Sequence, residues 1–236
     1  MAEDCREKIM SEDYVDFIWR FNQSVLDLER RYPDYCIQVI NAFYAVFYVE
    51  SRIINRDQFQ YNYEVFPALY TLLENENLEE SGIIRLLENS VLKLQGEGVI
   101  VGIIDTGIDY TNQCFRKTDG SSRILEIWDQ TDQSGRLPED IGYGSVYTQE
   151  EISRALKLAD PFSAVPIRDE SGHGTQLASI AAGSFDEDRG WSGAAPMADL
   201  AVVKLKPAKD YLRRYYMVRP EAEAYQENDI MMGVRY

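Results

Sequence analysis

Residues 99–109 read VIVGIIDTGID, and this stretch limits the possible folds more than any other part of the chain. The segment GVIVGIID is almost continuously apolar and rich in β-branched side chains, so as a strand it has no polar face to show to water. Such a strand is covered on both sides, as in a parallel sheet, and a parallel neighbour requires a crossover connection. The following text supplies the parts. RILEIWDQ reads as a second strand, and a helix from Thr148 to Leu158 is opened by a capping box between Thr148 and Glu151. GHGTQLASIAAG is small and apolar at helical spacing and is stopped by Gly183, and ADLAVVKL gives a further strand. Ahead of the first strand, ENSVLKLQG reads as a short helix closed by Gly96. Strand, helix, strand in this order predicts right-handed crossovers and an α/β sheet.

The preceding region has another character. Between Glu12 and Leu28 the apolar residues Val15, Ile18, Trp19, Val25 and Leu28 fall close to a helical period, which predicts one amphipathic helix. From Tyr35 to Val49 the chain is β-branched and aromatic, with Asn41 placed to turn two strands against each other. A small α+β unit is expected. After Pro67 the acidic stretch LLENENLEESG, ending in Gly82, behaves as a linker, and no internal repeat or low-complexity tract follows.

Composition excludes several classes of function. With 236 residues and 45% apolar content the chain can build a sizeable core, while a formal charge of −16 without a Lys/Arg cluster argues against nucleic acid and anionic membrane as partners. Three widely spaced cysteines, Cys5, Cys36 and Cys114, predict free thiols in a reducing compartment, and a single histidine argues against a zinc site. The N-terminus carries acidic residues where a secretory signal would carry basic ones, and the run Ala42–Val49 is too short to span a bilayer. A cytoplasmic protein is expected.

Asp105 closes the first strand at its carboxyl end, where open α/β sheets place functional groups. Chemistry with two carboxylates sharing a proton needs a partner aspartate, yet the sequence has no second Asp-Thr-Gly or Asp-Ser-Gly. A homodimer could supply one, together with an apolar-apolar-Gly segment such as Ile230-Met231-Met232-Gly233, but that segment lies 126 residues beyond Gly107 and helix crossovers contradict an all-β fold. The other partner is His173, in ESGHGTQLA. Gly172 and Gly174 leave room beside the ring, and the N-terminus of the helix it opens disfavours the imidazolium, which keeps the ring available as a base. Asp105 would accept the ring N–H, fix the tautomer and stabilise the charge that forms in reaction.

The blocks VGIIDTGID, SGHGTQLASIAAG and SGAAPMADLAVVKLKP, in this order, resemble the subtilases, the subtilisin-like serine endopeptidases, from about Leu92 to Tyr236. The intervening RILEIWDQT and YGSVYTQEEI and the later VKLKPAKDYLR are most similar to the bacterial branch containing the clostridial spore-germination subtilases. The resemblance implies an α/β, parallel-sheet subtilisin-like catalytic domain, of which residues 79–236 would be the N-terminal half. It also implies that residues 1–78 form a small α+β prodomain acting as intramolecular chaperone and inhibitor, with a maturation junction near Leu78 to Ser81. Asp105 and His173 would be catalytic, the substrates would be proteins or peptides, and no cofactor is implied. The family's Gly-Thr-Ser loop, oxyanion asparagine and Gly-rich substrate strand are not found, so the chain is expected to be a fragment lacking the serine and inactive alone. NDIMMGVRY resembles the start of the family's next helix. Cys114 stands where many subtilases use a calcium-ligating aspartate, so that metal site is not expected, and Asn112 stands where members often have a histidine. The alternative is a non-catalytic pseudoprotease or binding protein of the same fold.

Overall fold

The computed structural model describes residues 3–22, 24–54, 66–70, 94–186 and 191–236. In chain order the elements are α1 (Glu3–Met10), β1 (Tyr14–Arg20), α2 (Val25–Arg31), β2 (Cys36–Val39), β3 (Tyr44–Glu50), β4 (Leu69–Tyr70) and β5 (Ile100–Asp105). They continue with β6 (Ile124–Asp129), β7 (Ser145–Thr148), α3 (Gln149–Ala155), α4 (His173–Ala182), β8 (Asp199–Lys204), α5 (Asp210–Tyr215), β9 (Tyr225–Gln226) and α6 (Glu227–Arg235). The chain divides into two compact units. One comprises Met1–Leu72, Leu137–Tyr143 and Lys206–Tyr236, the other Leu73–Arg136 and Gly144–Leu205. The acidic linker and most of the helix expected before Gly96 lie outside the described residues.

The first unit holds a three-stranded antiparallel sheet in the order β1-β3-β2. The hairpin β2–β3 turns where expected, because Asn41 Oδ1 accepts the N–H groups of Phe43 and Tyr44 at 2.9 and 3.0 Å. The single helix expected over Glu12–Leu28 is instead a strand followed by a helix. β1 pairs with β3 along its whole length, from Tyr14 opposite Glu50 to Arg20 opposite Tyr44, and the helix begins only at Ser24, whose side chain accepts the N–H of Asp27. Val15, Ile18 and Trp19 are spaced for a helix, but the seven-residue ladder with β3 overrides that spacing. A second correction concerns the thiols. Cys5 and Cys36 are joined in a disulfide that ties α1 to β2, and only Cys114 is free.

An acidic residue on β1 is fully buried. Asp16 accepts the ammonium of Lys209 at 2.6 Å, the amide of Gln226 at 2.9 Å and that of Asn228 at 3.1 Å. Beside them Lys206 donates to Asp229 at 2.6 Å, and Tyr143 approaches the same carboxyl. Burial, reinforced by the neighbouring carboxylates, pushes the phenols of Tyr48, Tyr143 and Tyr211 up, so these tyrosines stay neutral donors. In the same unit β4 pairs antiparallel with β9, Leu69 opposite Gln226 and Tyr70 opposite Tyr225.

The second unit carries the predicted α/β sheet, in the order β5-β8-β6-β7, with β5, β8 and β6 parallel and β7 antiparallel at one side. β7, not expected as a strand, forms because β6 offers it a ladder from Glu126 opposite Thr148 to Asp129 opposite Ser145. The core combines Ile103, Ile127, Leu200 and Val202 of the sheet with Ile152 of α3 and Ala178 and Ala182 of α4. α3 starts with the predicted capping box. Arg123, buried just before β6, donates to the carbonyls of Cys114, Ala182 and Ala198 and so binds three separate segments of this unit.

Candidate active site

Asp105 is the last residue of β5, and His173 is the first of α4. Both elements belong to the second unit, and the structure brings the two side chains together, with His173 Nδ1 2.8 Å from Asp105 Oδ1. A carboxylate can only accept, so the proton in this bond sits on Nδ1. The pair is largely withdrawn from water, with side-chain exposures of 16% for His173 and 11% for Asp105, which strengthens the bond relative to one in solution. Asp105 Oδ1 also accepts the N–H of Thr106 at 2.7 Å.

The glycines that flank His173 have separate tasks. Gly172 precedes α4 with φ +78°, a left-handed conformation that side chains other than glycine rarely adopt. Gly174 is needed for space, since a Cβ there would lie 2.2 Å from the Gly107 carbonyl oxygen and 3.2 Å from Asp105 Cβ. The absence of a side chain at 174 therefore allows α4 to close on the loop that carries Asp105.

Sequence reasoning missed the groups that hold this approach. Asp169 Oδ1 accepts from Thr106 Oγ1 at 2.7 Å and from the Gly172 N–H at 3.0 Å, and Oδ2 accepts both the N–H and the hydroxyl of Thr175, at 2.8 and 2.6 Å. Burial alone would raise the Asp169 carboxyl, but these donors outweigh it and hold the group below the usual carboxylate range. Lys204, opposite Asp105 in the β5–β8 ladder, donates to the Arg168 carbonyl at 2.6 Å and to Glu170 at 3.1 Å. Asp169 and Lys204 thus fasten the turn before His173 from two sides. The signal available in the sequence was an acidic residue just ahead of a helix N-terminus, which complements the helix dipole.

Burial pushes the free thiol of Cys114 up to about 11, so it is not a thiolate near neutrality. The segment Ile230–Gly233, weighed above as part of a two-aspartate site, is a turn of α6. Among the described residues no group of three or more His, Cys, Asp or Glu could hold a metal ion, and no helix is long and apolar enough to cross a membrane. Chemically, an imidazole with its Nδ1 proton held by a carboxylate is arranged to use its other ring nitrogen as a general base.

Comparison with known proteins is in keeping with this geometry. Residues 96–224, more than half of the chain, match peptidase S8, the Subtilase family. The chain belongs to the Subtilase family. Among curated subtilases it is similar to the subtilisin-like proteases SBT2.2 and SBT2.3 of Arabidopsis thaliana, with 34% identity over 126 residues and 33% over 129. These matches cover 46% and 48% of this chain but only 15% of either relative. Among solved structures it is similar to the Clostridium perfringens CspB protease, at 33% identity and a TM-score of 0.52, covering 66% of this chain and 29% of that one. The matched subtilase block contains both Asp105 and His173, and its family is one of serine peptidases.

Proposed function

We propose that Asp105 and His173 are two members of an Asp/His/Ser triad that hydrolyses peptide bonds in proteins. The observation that carries this reading is the 2.8 Å bond between His173 Nδ1 and Asp105 Oδ1, at the end of a parallel strand and the start of a helix. In this mechanism Asp105 holds the ring in the tautomer with the proton on Nδ1, and His173 takes the serine proton as the acyl bond forms and returns it to the leaving amine. The imidazolium formed between these steps is stabilised by Asp105. The mechanism requires a nucleophilic serine of the Gly-Thr-Ser type, and no such tripeptide occurs in these 236 residues.

The N-terminal α+β region acts in this proposal as a prodomain and intramolecular inhibitor. Support comes from the pairing of β4 with β9, in which an extended segment joins the chain by main-chain hydrogen bonds, a mode also used for peptide recognition.

The test is hydrolysis of a broad set of fluorogenic peptides. The 236 residues alone should give no turnover, and addition of a subtilase segment bearing the Gly-Thr-Ser loop should give turnover that His173→Ala and Asp105→Asn abolish. Turnover by the chain alone, lost in both variants, would place a nucleophile within it and overturn the proposal.

A further inference from the structure

We propose that Asp169 is a positioning residue, the group that sets Asp105 and His173 in register by joining the two elements that carry them. Its four hydrogen bonds divide between the elements. Thr106, next to Asp105, donates to Oδ1, while Gly172 and Thr175, on either side of His173 in α4, donate the other three. Thr106 Oγ1 in turn accepts the N–H of Gly174 at 2.9 Å, so a continuous path runs from α4 through Thr106 to Asp169. Thr175 Oγ1 closes a second path by accepting the N–H of Asp109 at 2.8 Å.

This pattern is specific to an ionised carboxylate. Each of these partners donates, and an ionised Asp169 has no proton to offer in return. A neutral amide of the same shape could still accept from Thr106 and Gly172 at one atom, but its NH2 would face the N–H and the hydroxyl of Thr175. Asp169 also sits ahead of α4, so its charge complements the positive end of the helix dipole beside His173. Its acceptor positions are filled, which leaves it no capacity to act as a base. It therefore acts through Asp105 and His173 by fixing their separation.

The importance of Asp169 for hydrolysis rests on the proposed triad, whereas its geometric role is measurable without any turnover. His173 is the only histidine in the chain, so imidazole nitrogen and proton resonances report on this one ring. In the unaltered protein the Nδ1–H resonance should be present and slow to exchange. In Asp169→Asn it should exchange about tenfold faster or more, the expected loss for a hydrogen bond to a charged group, while amide exchange in β6 and β8 is unchanged. Thr106→Val, which cuts only the path through Thr106, should show the same effect and decides the matter if the first variant does not fold. Thr175→Ser keeps the hydroxyl and should restore the unaltered spectrum. An unaltered Nδ1–H in either folded variant of Asp169 or Thr106 would overturn the proposal. Failure of the peptide assay above would not touch this result.

Discussion

One methyl group at position 174 sets two effects against each other. Alanine is a better helix former than glycine by about 1 kcal/mol, and position 174 lies inside α4. The added carbon would however meet a backbone oxygen at 2.2 Å, which no side-chain adjustment relieves, and overpacking of this kind costs about 1–3 kcal/mol or more. The clash wins, so Gly174→Ala should lower the urea midpoint of unfolding; a raised midpoint would contradict the close approach. Asp132 offers a test by pH. Burial raises its carboxyl, but the hydroxyls of Tyr147, Ser134 and Ser145 and the Ser134 N–H outweigh this and hold it down to about 2. A carboxyl depressed in the folded state contributes stability that is complete above its unfolded value near 4 and is lost as pH falls towards about 2. Asp132→Asn should therefore cost about 1–2 kcal/mol at pH 6, after discount for partial exposure, and almost nothing near pH 2. Denaturant titrations at the two pH values would show whether the gap closes.

At the scale of elements, the disulfide between α1 and β2 spans 31 residues. By loop-closure entropy it restricts the unfolded chain by about 3–4 kcal/mol, so reduction, or Cys5→Ser with Cys36→Ser, should lower the melting temperature of the first unit by an amount that calorimetry resolves. Arg123 ties three segments of the second unit through the carbonyls of Cys114, Ala182 and Ala198. Arg123→Met would take this donor from the buried carbonyls of Ala182 and Ala198, while the Cys114 carbonyl keeps the Ser184 N–H, at a cost of about 2–3 kcal/mol, and circular dichroism in denaturant should register it. These elements differ in how legible they were. β5, α4 and β8 announce themselves through apolar runs and small residues, and the pairing of Asp105 with His173 follows from where such elements end. β1 did not, because Val15, Ile18 and Trp19 are spaced for a helix and only the distant ladder with β3 makes them a strand. The disulfide escaped notice for a similar reason, since its partners meet only once α1 and β2 are packed. Asp169 escaped because its meaning lies in four donors that no spacing rule collects.

At the scale of the whole molecule, the first unit is assembled from three separated stretches of chain. Its interior depends on the ion pair of Asp16 with Lys209, whose side chains are 0% and 3% exposed. Removing one partner of such a pair leaves a buried charge alone, at about 3–5 kcal/mol. Lys209→Met should therefore unfold or strongly destabilise the first unit, and Asp16→Asn in the same chain should recover part of the loss; hydrogen exchange of the β1–β3 amides measures both. The pair has a further consequence during synthesis. Asp16 and Lys209 are 193 residues apart in sequence, and at ribosomal rates of about 5–20 residues per second the lysine is made about 10–40 seconds after the aspartate. For that interval β1 carries a charge it cannot bury, so the nascent N-terminal region waits, partly formed and open to chaperones, until residues 206–236 arrive to complete it.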